Sequence, residues 1–401
     1  MDCDSTLLQE PEQVNSDLLR DLKRRPTGSL ARESPVPDWL DRGQIPSLDG
    51  FRAIAVILVL MCHSCQTAGF PDWPLLGKVA HRGRFGVDIF FVISGFLITT
   101  LLVRELERKG QLNLKRFYVR RSLRIIPAYC AMLAVVAICQ FVGKLQLESR
   151  DWIGALTYTT NSIDHPSWDL GHTWSLAVEE HFYLLWPFAL FVGGLVGGWR
   201  MAIGCIASCW CMRCLIALVL PGFVSAADAT YYSSMAENWT ITRLDTISMG
   251  CLLALACRSD YWRAFLDRIT RPWLLVLYFV TICASQALGG YSTRFQLCVS
   301  YTLDAVCIAL LIWGMIRSEG LARRVLANPV LTTIGVGSYS IYLWQQLFIH
   351  PYQVGWMHRF PQNIFLAFGA ASLSYWIIER PFNRLKDRLA SPPQCSLHRS
   401  A

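Results

Sequence analysis

The chain has 401 residues, of which 53% are hydrophobic and only 16% are charged, and its formal net charge is +8. This composition is too apolar for a soluble domain, and the apolar residues fall into runs of roughly 18–22, enough to cross a hydrocarbon core of about 30 Å. A basic excess in such a protein is typical of cytoplasmic loops rich in Lys and Arg, so it does not indicate a nucleic-acid partner.

The sequence predicts an all-α polytopic membrane protein with about ten transmembrane helices. Residues 1–46 are polar and lack the apolar stretch of a signal peptide, so we predict a disordered cytoplasmic tail. A membrane domain is predicted over 47–385 and a short cytoplasmic tail over 386–401. With both termini cytoplasmic, inner segments hold about four times as many Lys and Arg as outer loops, which favours this orientation. The candidate spans are 51–69, 85–103, 123–143, 174–196, 201–220, 241–257, 273–289, 297–316, 331–350 and 363–380.

The first span, SLDGFRAIAVILVLMCHS, contains two polar residues that are costly in lipid. Arg52 lies at its cytoplasmic entry, and His63 follows eleven residues later. Eleven residues make about three helical turns, so we expect both side chains on one face, roughly 16 Å apart along the axis. A long anionic ligand held by Arg52 can then reach His63. The alternative is that Arg52 anchors the helix end and His63 is a hydrogen-bonded core histidine.

The second span, GRFGVDIFFVISGFLITTLL, places Asp88 among aromatic residues. A buried carboxylate needs a partner, and we predict an Arg or His from a neighbouring span. Ser94 and Gly95 interrupt a bulky run, and Gly86 and Gly95 favour a close approach of helices.

The segment that leads into the third span is basic and reads RELERKGQLNLKRFYVRRSLRIIPAY. On a helix Arg120 and Arg124 share a face, and Arg121 lies close to them. Guanidinium groups at this density suit phosphate binding. Contact with lipid headgroups and a purely topogenic charge are the alternatives.

Later spans carry further charges. In GHTWSLAVEEHFYLLWPF, the residues Glu179, Glu180 and His181 cannot all face lipid, so at least one carboxylate is predicted to be buried or paired with a base. In ITRLDTISMGCLLA, Arg243 and Asp245 can form a local ion pair or a polar gate. A cysteine cluster lacks the paired spacing of structural zinc, so we expect helix packing and no metal site at Cys205, Cys209, Cys211 and Cys214.

A series of strings runs through the chain in a fixed order: LDGFRAIAV with an Arg-x10-His spacing, GVDIFFVISGFLI, FYVRRSLRIIPAY, TWSLAVEEHFYLLWP, RLDTISMG, SYSIYLW and IERPF. Together they resemble the membrane acyltransferase 3 family, whose members O-acylate sugars of lipopolysaccharide, peptidoglycan, exopolysaccharides, nodulation factors and macrolides. The resemblance covers roughly 47–385 and identifies this region as an acyltransferase membrane domain.

The resemblance implies that acyl-CoA, with acetyl-CoA expected, is the cytoplasmic co-substrate, and that no cofactor is bound permanently. It implies a hydroxyl acceptor, a carbohydrate or a similar molecule, at the outer face of a plasma (bacterial inner) membrane. The residues carried over are His63 as the essential residue, Arg52, Arg121 and Arg124 at the donor, and Asp88, Ser94 and Glu179 around the inner cavity, with Arg243 and Asp245 in support.

The predicted chemistry centres on the imidazole of His63. It accepts the proton of the acceptor hydroxyl while that oxygen attacks the thioester, with Glu179 orienting the ring and a nearby Arg or Ser94 binding the oxyanion. Equally, His63 can itself take the acyl group and pass it on. Two positions depart from the family pattern, because Gln345 stands where His is common and His181 where Gln is common.

Two other functions remain open at this point. A transporter or flippase for a lipid-linked or acidic solute would use the same polar residues as a pathway. A sensor would use them without chemistry.

Overall fold

The computed structural model describes residues 45–390. Over these residues the chain is helical, without a β-strand. The predicted disordered tail over 1–46 lies almost entirely outside the described residues, and the predicted tail over 386–401 does so from residue 391 onward.

Within residues 45–390, eighteen α-helices, numbered here in chain order, are connected by short loops and by single turns of 3-10 or π helix. They are α1 Pro46–Ser64, α2 Pro74–His81, α3 Phe85–Lys109, α4 Leu114–Phe141, α5 Ser149–Thr157, α6 Trp168–Gly171, α7 Thr173–Cys214, α8 Ala226–Ala236, α9 Thr240–Ala256, α10 Asp260–Ile269, α11 Pro272–Gly289, α12 Thr293–Phe295, α13 Tyr301–Arg317, α14 Leu321–Leu326, α15 Pro329–Val336, α16 Ser338–Trp344, α17 Gln362–Ser374 and α18 Arg380–Ala390.

Several of these helices suit a bilayer. In the described part of the chain, six helices are long and apolar enough to cross a membrane, and a seventh is counted if the bent pair Ala226–Ala256 and Asp260–Ile269 forms one span. On α7 large apolar side chains point away from the protein, with Leu184 64% and Val192 69% exposed. An apolar surface of this kind fits lipid, so the chain is a membrane protein whose described part is all-helical.

The stretch α7 contains the predicted spans 174–196 and 201–220. It consists of two helical segments joined across a kink at Gly194, where φ is 56° and ψ is −156°. Only glycine adopts this non-helical backbone conformation without strain. The helix is therefore broken at Gly194, two residues before the predicted end of the first of these spans, which agrees with two separate spans.

The last two predicted spans are discontinuous. The segment predicted over 331–350 consists of α15 and α16, which meet at Gly337, and a 3-10 turn over Gln345–Leu347. The segment predicted over 363–380 continues from α17 through a π-helical turn, Tyr375–Glu379, into α18. The 3-10 turn interrupts the regular helix at Gln345, a position that matters below.

The centre of the bundle is the crossing of α3 with α9. A Cβ atom on Gly95 would lie 1.9 Å from the carbonyl oxygen of Ile247, and one on Gly250 would lie 2.0 Å from that of Val92. The two backbones are therefore in direct contact, as small residues permit in membrane bundles. Gly86 makes the same kind of approach to α1, where its Cβ would lie 2.2 Å from the carbonyl oxygen of Ala55. The predicted close approach at Gly86 and Gly95 is confirmed.

Candidate active site

Two cavities are lined by residues of α1, one toward each end of the helix. The first, which we call the basic cavity, has a volume of about 410 Å³ and includes Arg52. The second, which we call the histidine cavity, has a volume of about 310 Å³ and includes His63. Val87 and Tyr342 line both, so the cavities meet at these two side chains.

The basic cavity brings distant parts of the sequence together. Besides Arg52 it is lined by residues of α3, α4, α7 and α16. Among the described residues that line it, two are acidic, Glu105 and Glu179. The basic residues around it are Arg52, Arg104, Arg108, Lys109, Arg116, Arg120, Arg121, Arg124 and Lys386. The predicted donor residues Arg52, Arg121 and Arg124 thus share one site.

Glu179 lies on the wall of the basic cavity. Its two carboxylate oxygens accept hydrogen bonds of 2.9 Å from the hydroxyls of Ser94 and Tyr183. Arg121 lies 3.6 Å from the same carboxylate and stacks on the Tyr183 ring, with its guanidinium carbon 3.5 Å from the ring centroid. The prediction that a carboxylate of this motif pairs with a base is therefore confirmed.

His63 lies in the histidine cavity with a different partner. Its Nδ1 is 3.1 Å from Oε1 of Gln345, and the edge of its ring meets Trp168, with centroids 5.2 Å apart. The prediction that Glu179 orients the imidazole is corrected here: Glu179 and Ser94 line the basic cavity, and Gln345 holds the His63 ring. Arg52 and His63 likewise face two adjoining cavities and not a single one.

The bond from Gln345 determines which nitrogen of His63 carries the proton. The amide nitrogen of Gln345 donates to the carbonyl oxygen of Tyr342 at 3.3 Å, which turns its Oε1 toward the imidazole. An amide oxygen can only accept, so His63 Nδ1 carries hydrogen and Nε2 keeps a lone pair. A neutral imidazole in this tautomer can accept a proton or attack a carbonyl at Nε2.

Arg84 supplies the positive charge of the histidine cavity. Its guanidinium donates to the side chains of Glu237 and Asn238, and its central carbon lies 5.1 Å from the centroid of the Trp174 ring. Residue 84 precedes α3, whereas its acidic partner lies in the loop after α8. Sequence reasoning treated Arg84 only as a charge of an outer loop, because the long-range contacts that place it beside His63 leave no local signal.

His172 is a second imidazole in the histidine cavity. It is 3% exposed, and Gln346, another residue of the cavity, accepts a hydrogen bond of 3.2 Å from its backbone N–H. The sequence reasoning missed His172 as a site residue. Its place one residue before the TWSLAVEEH string was the available signal.

The charged residues assigned a supporting role form buried ion pairs between helices. Arg243 on α9 pairs with Asp88 on α3, which confirms the prediction of a basic partner for Asp88 from another span. Asp245 instead pairs with Arg213 on α7, with 2.6 Å between Nη2 and Oδ2. A local pair between Arg243 and Asp245 is therefore wrong, because residues two apart on a helix do not face each other.

These pairs support the site from outside it, because neither cavity is lined by Asp88, Arg243 or Asp245. His181, the second departure from the family pattern, also lies outside both cavities, and its Nδ1 is 2.7 Å from the Thr240 hydroxyl. In the described residues no group of three or more His, Cys, Asp or Glu side chains is arranged to hold a metal ion.

Comparison with known proteins assigns this chain to a protein family. Residues 45–379 match the family model acyltransferase 3, described as an acyltransferase domain. A helical membrane protein with this match carries a membrane acyltransferase domain. The chain belongs to the acyltransferase 3 family, which confirms the resemblance seen in its motifs.

The similar proteins are bacterial. The chain is 31% identical over 368 residues to "Putative O-acetyltransferase SACOL0978" of Staphylococcus aureus strain COL, covering 85% of this chain. It is also 31% identical over 373 residues to the O-acetyltransferase OatA of Staphylococcus aureus strain NCTC 8325, again over 85% of this chain. The chain spans 57% of the length of these curated relatives. No solved structure matches it significantly.

Proposed function

We propose that this chain transfers an acetyl group from acyl-CoA to a hydroxyl of a carbohydrate acceptor. One observation carries the proposal: a cavity with clustered guanidinium groups meets, at Val87 and Tyr342, a second cavity that holds an imidazole with a free lone pair at Nε2. The relatives named O-acetyltransferase support the choice of the acetyl group and of an oxygen acceptor.

The basic cavity suits the phosphate end of the donor. Coenzyme A carries several negative charges on phosphates, and guanidinium groups bind phosphate oxygens through charge-assisted hydrogen bonds. Arg52 lies 3.7 Å from Asp49, so its position is held on the α1 side of the cavity. The acyl end of a donor bound there would extend past Val87 and Tyr342 toward His63.

The proposed reaction is a direct transfer at Nε2 of His63. The acceptor hydroxyl gives its proton to Nε2 while its oxygen forms a bond to the thioester carbonyl carbon. The tetrahedral intermediate then loses the coenzyme A thiolate, which takes the proton back from the imidazolium. Gln345 stabilises the imidazolium through Nδ1–H without changing protonation itself. The products are an O-acyl ester and coenzyme A.

The oxyanion of the intermediate needs a positive group in the same cavity. Arg84 fulfils this condition because it lines the histidine cavity and is fixed by Glu237 and Asn238. Ser94 is less suitable, since its hydroxyl donates to Glu179 in the basic cavity. An oriented cation that is present before the charge develops lowers the barrier of acyl transfer.

The proposed topology has ten membrane crossings and cytoplasmic termini in a bacterial inner membrane. The basic cavity then opens to the cytoplasm, where acyl-CoA is found, and the histidine cavity lies toward the outer face. Two predicted outer loops, 144–173 and 221–240, contribute Trp168, His172 and Asn238 to the histidine cavity. This arrangement supports acceptor binding from the outside.

Purified full-length protein in lipid nanodiscs tests the proposal directly. With [¹⁴C]acetyl-CoA and chitotetraose as the acceptor probe, we expect alkali-labile label on the sugar and release of coenzyme A. His63→Ala should reduce both by more than about 10²-fold, as loss of a general base does. His181→Ala removes a half-buried histidine outside the cavities and is the matched control. If acetyl-CoA stays intact while a solute crosses the membrane of sealed vesicles that contain the protein, the transferase is rejected and a transporter is favoured.

Arg52→Ala should raise the KM for acetyl-CoA by about tenfold or more, because one charge-assisted hydrogen bond to the donor is lost, while the KM for chitotetraose changes little. Arg150→Ala removes an exposed arginine that pairs with Glu148 away from both cavities, and is the control for charge. If the KM for acetyl-CoA is the same in the Arg52 variant and in the wild type, Arg52 lies outside the donor site.

A further inference from the structure

His172 has one nitrogen that is committed to the fold and one that is not. Its Nε2 lies 3.2 Å from the carbonyl oxygen of Leu343, and a carbonyl can only accept, so Nε2 carries the proton. Nδ1 of the neutral ring then keeps a lone pair. This atom is buried and has no hydrogen-bond partner.

A buried acceptor without a donor is unfavourable unless a ligand or water supplies one. His172 lines the histidine cavity together with His63, whose Nε2 also has only a lone pair. The walls of the cavity therefore contain two imidazole nitrogens that accept and do not donate, and Nδ1 of His172 is buried within the wall. A molecule with two hydroxyl groups satisfies both, whereas a mono-alcohol satisfies one.

We propose that His172 Nδ1 accepts a hydrogen bond from a second hydroxyl of the acceptor, beside the hydroxyl that attacks at His63, so that the site selects polyols. This inference rests on the proposed function, because it assigns a role in the binding of its acceptor. It makes His172 a specificity residue that contacts the substrate, with no bond made or broken at its ring.

Two substitutions separate the two nitrogens of His172. In His172→Gln the side-chain amide nitrogen can replace Nε2 as the donor to Leu343, but the acceptor at the Nδ1 position is lost. In His172→Asn the side-chain oxygen replaces the Nδ1 acceptor, and the donor to Leu343 is lost. Melting of the purified variants in detergent reports any loss of folding separately. His181→Gln is the matched control because His181 lies outside the cavity.

The probes are trans-1,2-cyclohexanediol and cyclohexanol, which differ by one hydroxyl, with [¹⁴C]acetyl-CoA as donor. We expect wild type and the His181 control to prefer the diol in kcat/KM by about fivefold, the value of one neutral hydrogen bond of about 1 kcal/mol. His172→Gln should lose this preference and keep its rate with cyclohexanol, while His172→Asn should keep most of it.

The remaining outcomes count against the inference in distinguishable ways. If wild type esterifies both probes equally, or if His172→Gln slows both equally, the hydroxyl-binding role is rejected and the proposed transferase stands. If the His172→Gln variant retains the diol preference, the role is likewise rejected. If wild type esterifies neither probe nor chitotetraose, the proposed function itself fails and the inference with it.

Discussion

Replacing Gln345 by Leu tests the tautomer assigned to His63. Leu has a similar volume but cannot accept the hydrogen bond from Nδ1 that the structure shows at 3.1 Å. Gln345 is fully buried, so water cannot replace the missing oxygen easily. The imidazole then loses the contact that favours the tautomer with a lone pair at Nε2. In a fraction of the molecules Nε2 carries the proton and cannot act as the base.

The size of the effect lies between two limits. One neutral hydrogen bond has a net value of about 1 kcal/mol, which corresponds to about fivefold in rate. Enforcing the wrong tautomer in a serine-protease triad lowers kcat by about 10⁴. Leu permits both tautomers and enforces neither, so we expect kcat to fall by about 10–100-fold, with little change in the KM for acetyl-CoA.

Gln345→Glu is the matched variant, because a carboxylate oxygen can still accept from Nδ1. We expect this variant to retain clearly more activity than Gln345→Leu in the [¹⁴C]acetyl transfer assay. Both proteins should be shown to be folded by their melting temperatures in detergent. A folded Gln345→Leu enzyme with kcat within twofold of wild type would refute the assigned role of Gln345.

Two further predictions concern stability. Asp88→Asn should destabilise the protein by about 3–5 kcal/mol, because the buried Arg243 loses its counter-charge. Adding Arg243→Met should restore most of this loss, as measured by the melting temperature in detergent. A double variant that is less stable than the single variant would contradict this prediction. Gly95→Ala should lower the melting temperature, because its Cβ would lie 1.9 Å from the Ile247 carbonyl oxygen. The control Gly204→Ala has open space around the new Cβ, so it should leave the melting temperature unchanged or raise it. Equal melting temperatures of the two variants would show that the α3–α9 crossing is not tight.

The sequence predicted what depends on local composition. Apolar run length located some helices to within one residue at each end, as for 241–257 against Thr240–Ala256, and others with at least one end five to nine residues away, as for 123–143 against Leu114–Phe141. The separation of spans 174–196 and 201–220 agrees with the kink at Gly194, although the exact position of the break was not predicted. The number of ten crossings stays a prediction.

The candidate site was predictable only in part, because the sequence reasoning selected His63 and the arginines of the basic cavity but missed His172 and Arg84. The cost of burying a charge required a partner for Asp88, but nothing local could choose Arg243, which lies 155 residues away. Likewise, 282 residues separate Gln345 from His63. The sequence reasoning noticed that Gln345 departs from the family pattern. Only the packing of α16 against α1 shows that this residue holds the imidazole.

The meeting point of the two cavities also bears on how the bilayer stays sealed. Val87 is 4% exposed and Tyr342 is 6% exposed, and both line the two cavities from within the bundle. A continuous water-filled channel at this depth would let ions leak across the membrane and would dissipate the ion gradients of the cell. Under the proposed function, the thioester arm of the donor would pass between these two side chains, and the same side chains would separate the water on the two sides of the membrane. Insulation and catalysis would then depend on the same pair of residues.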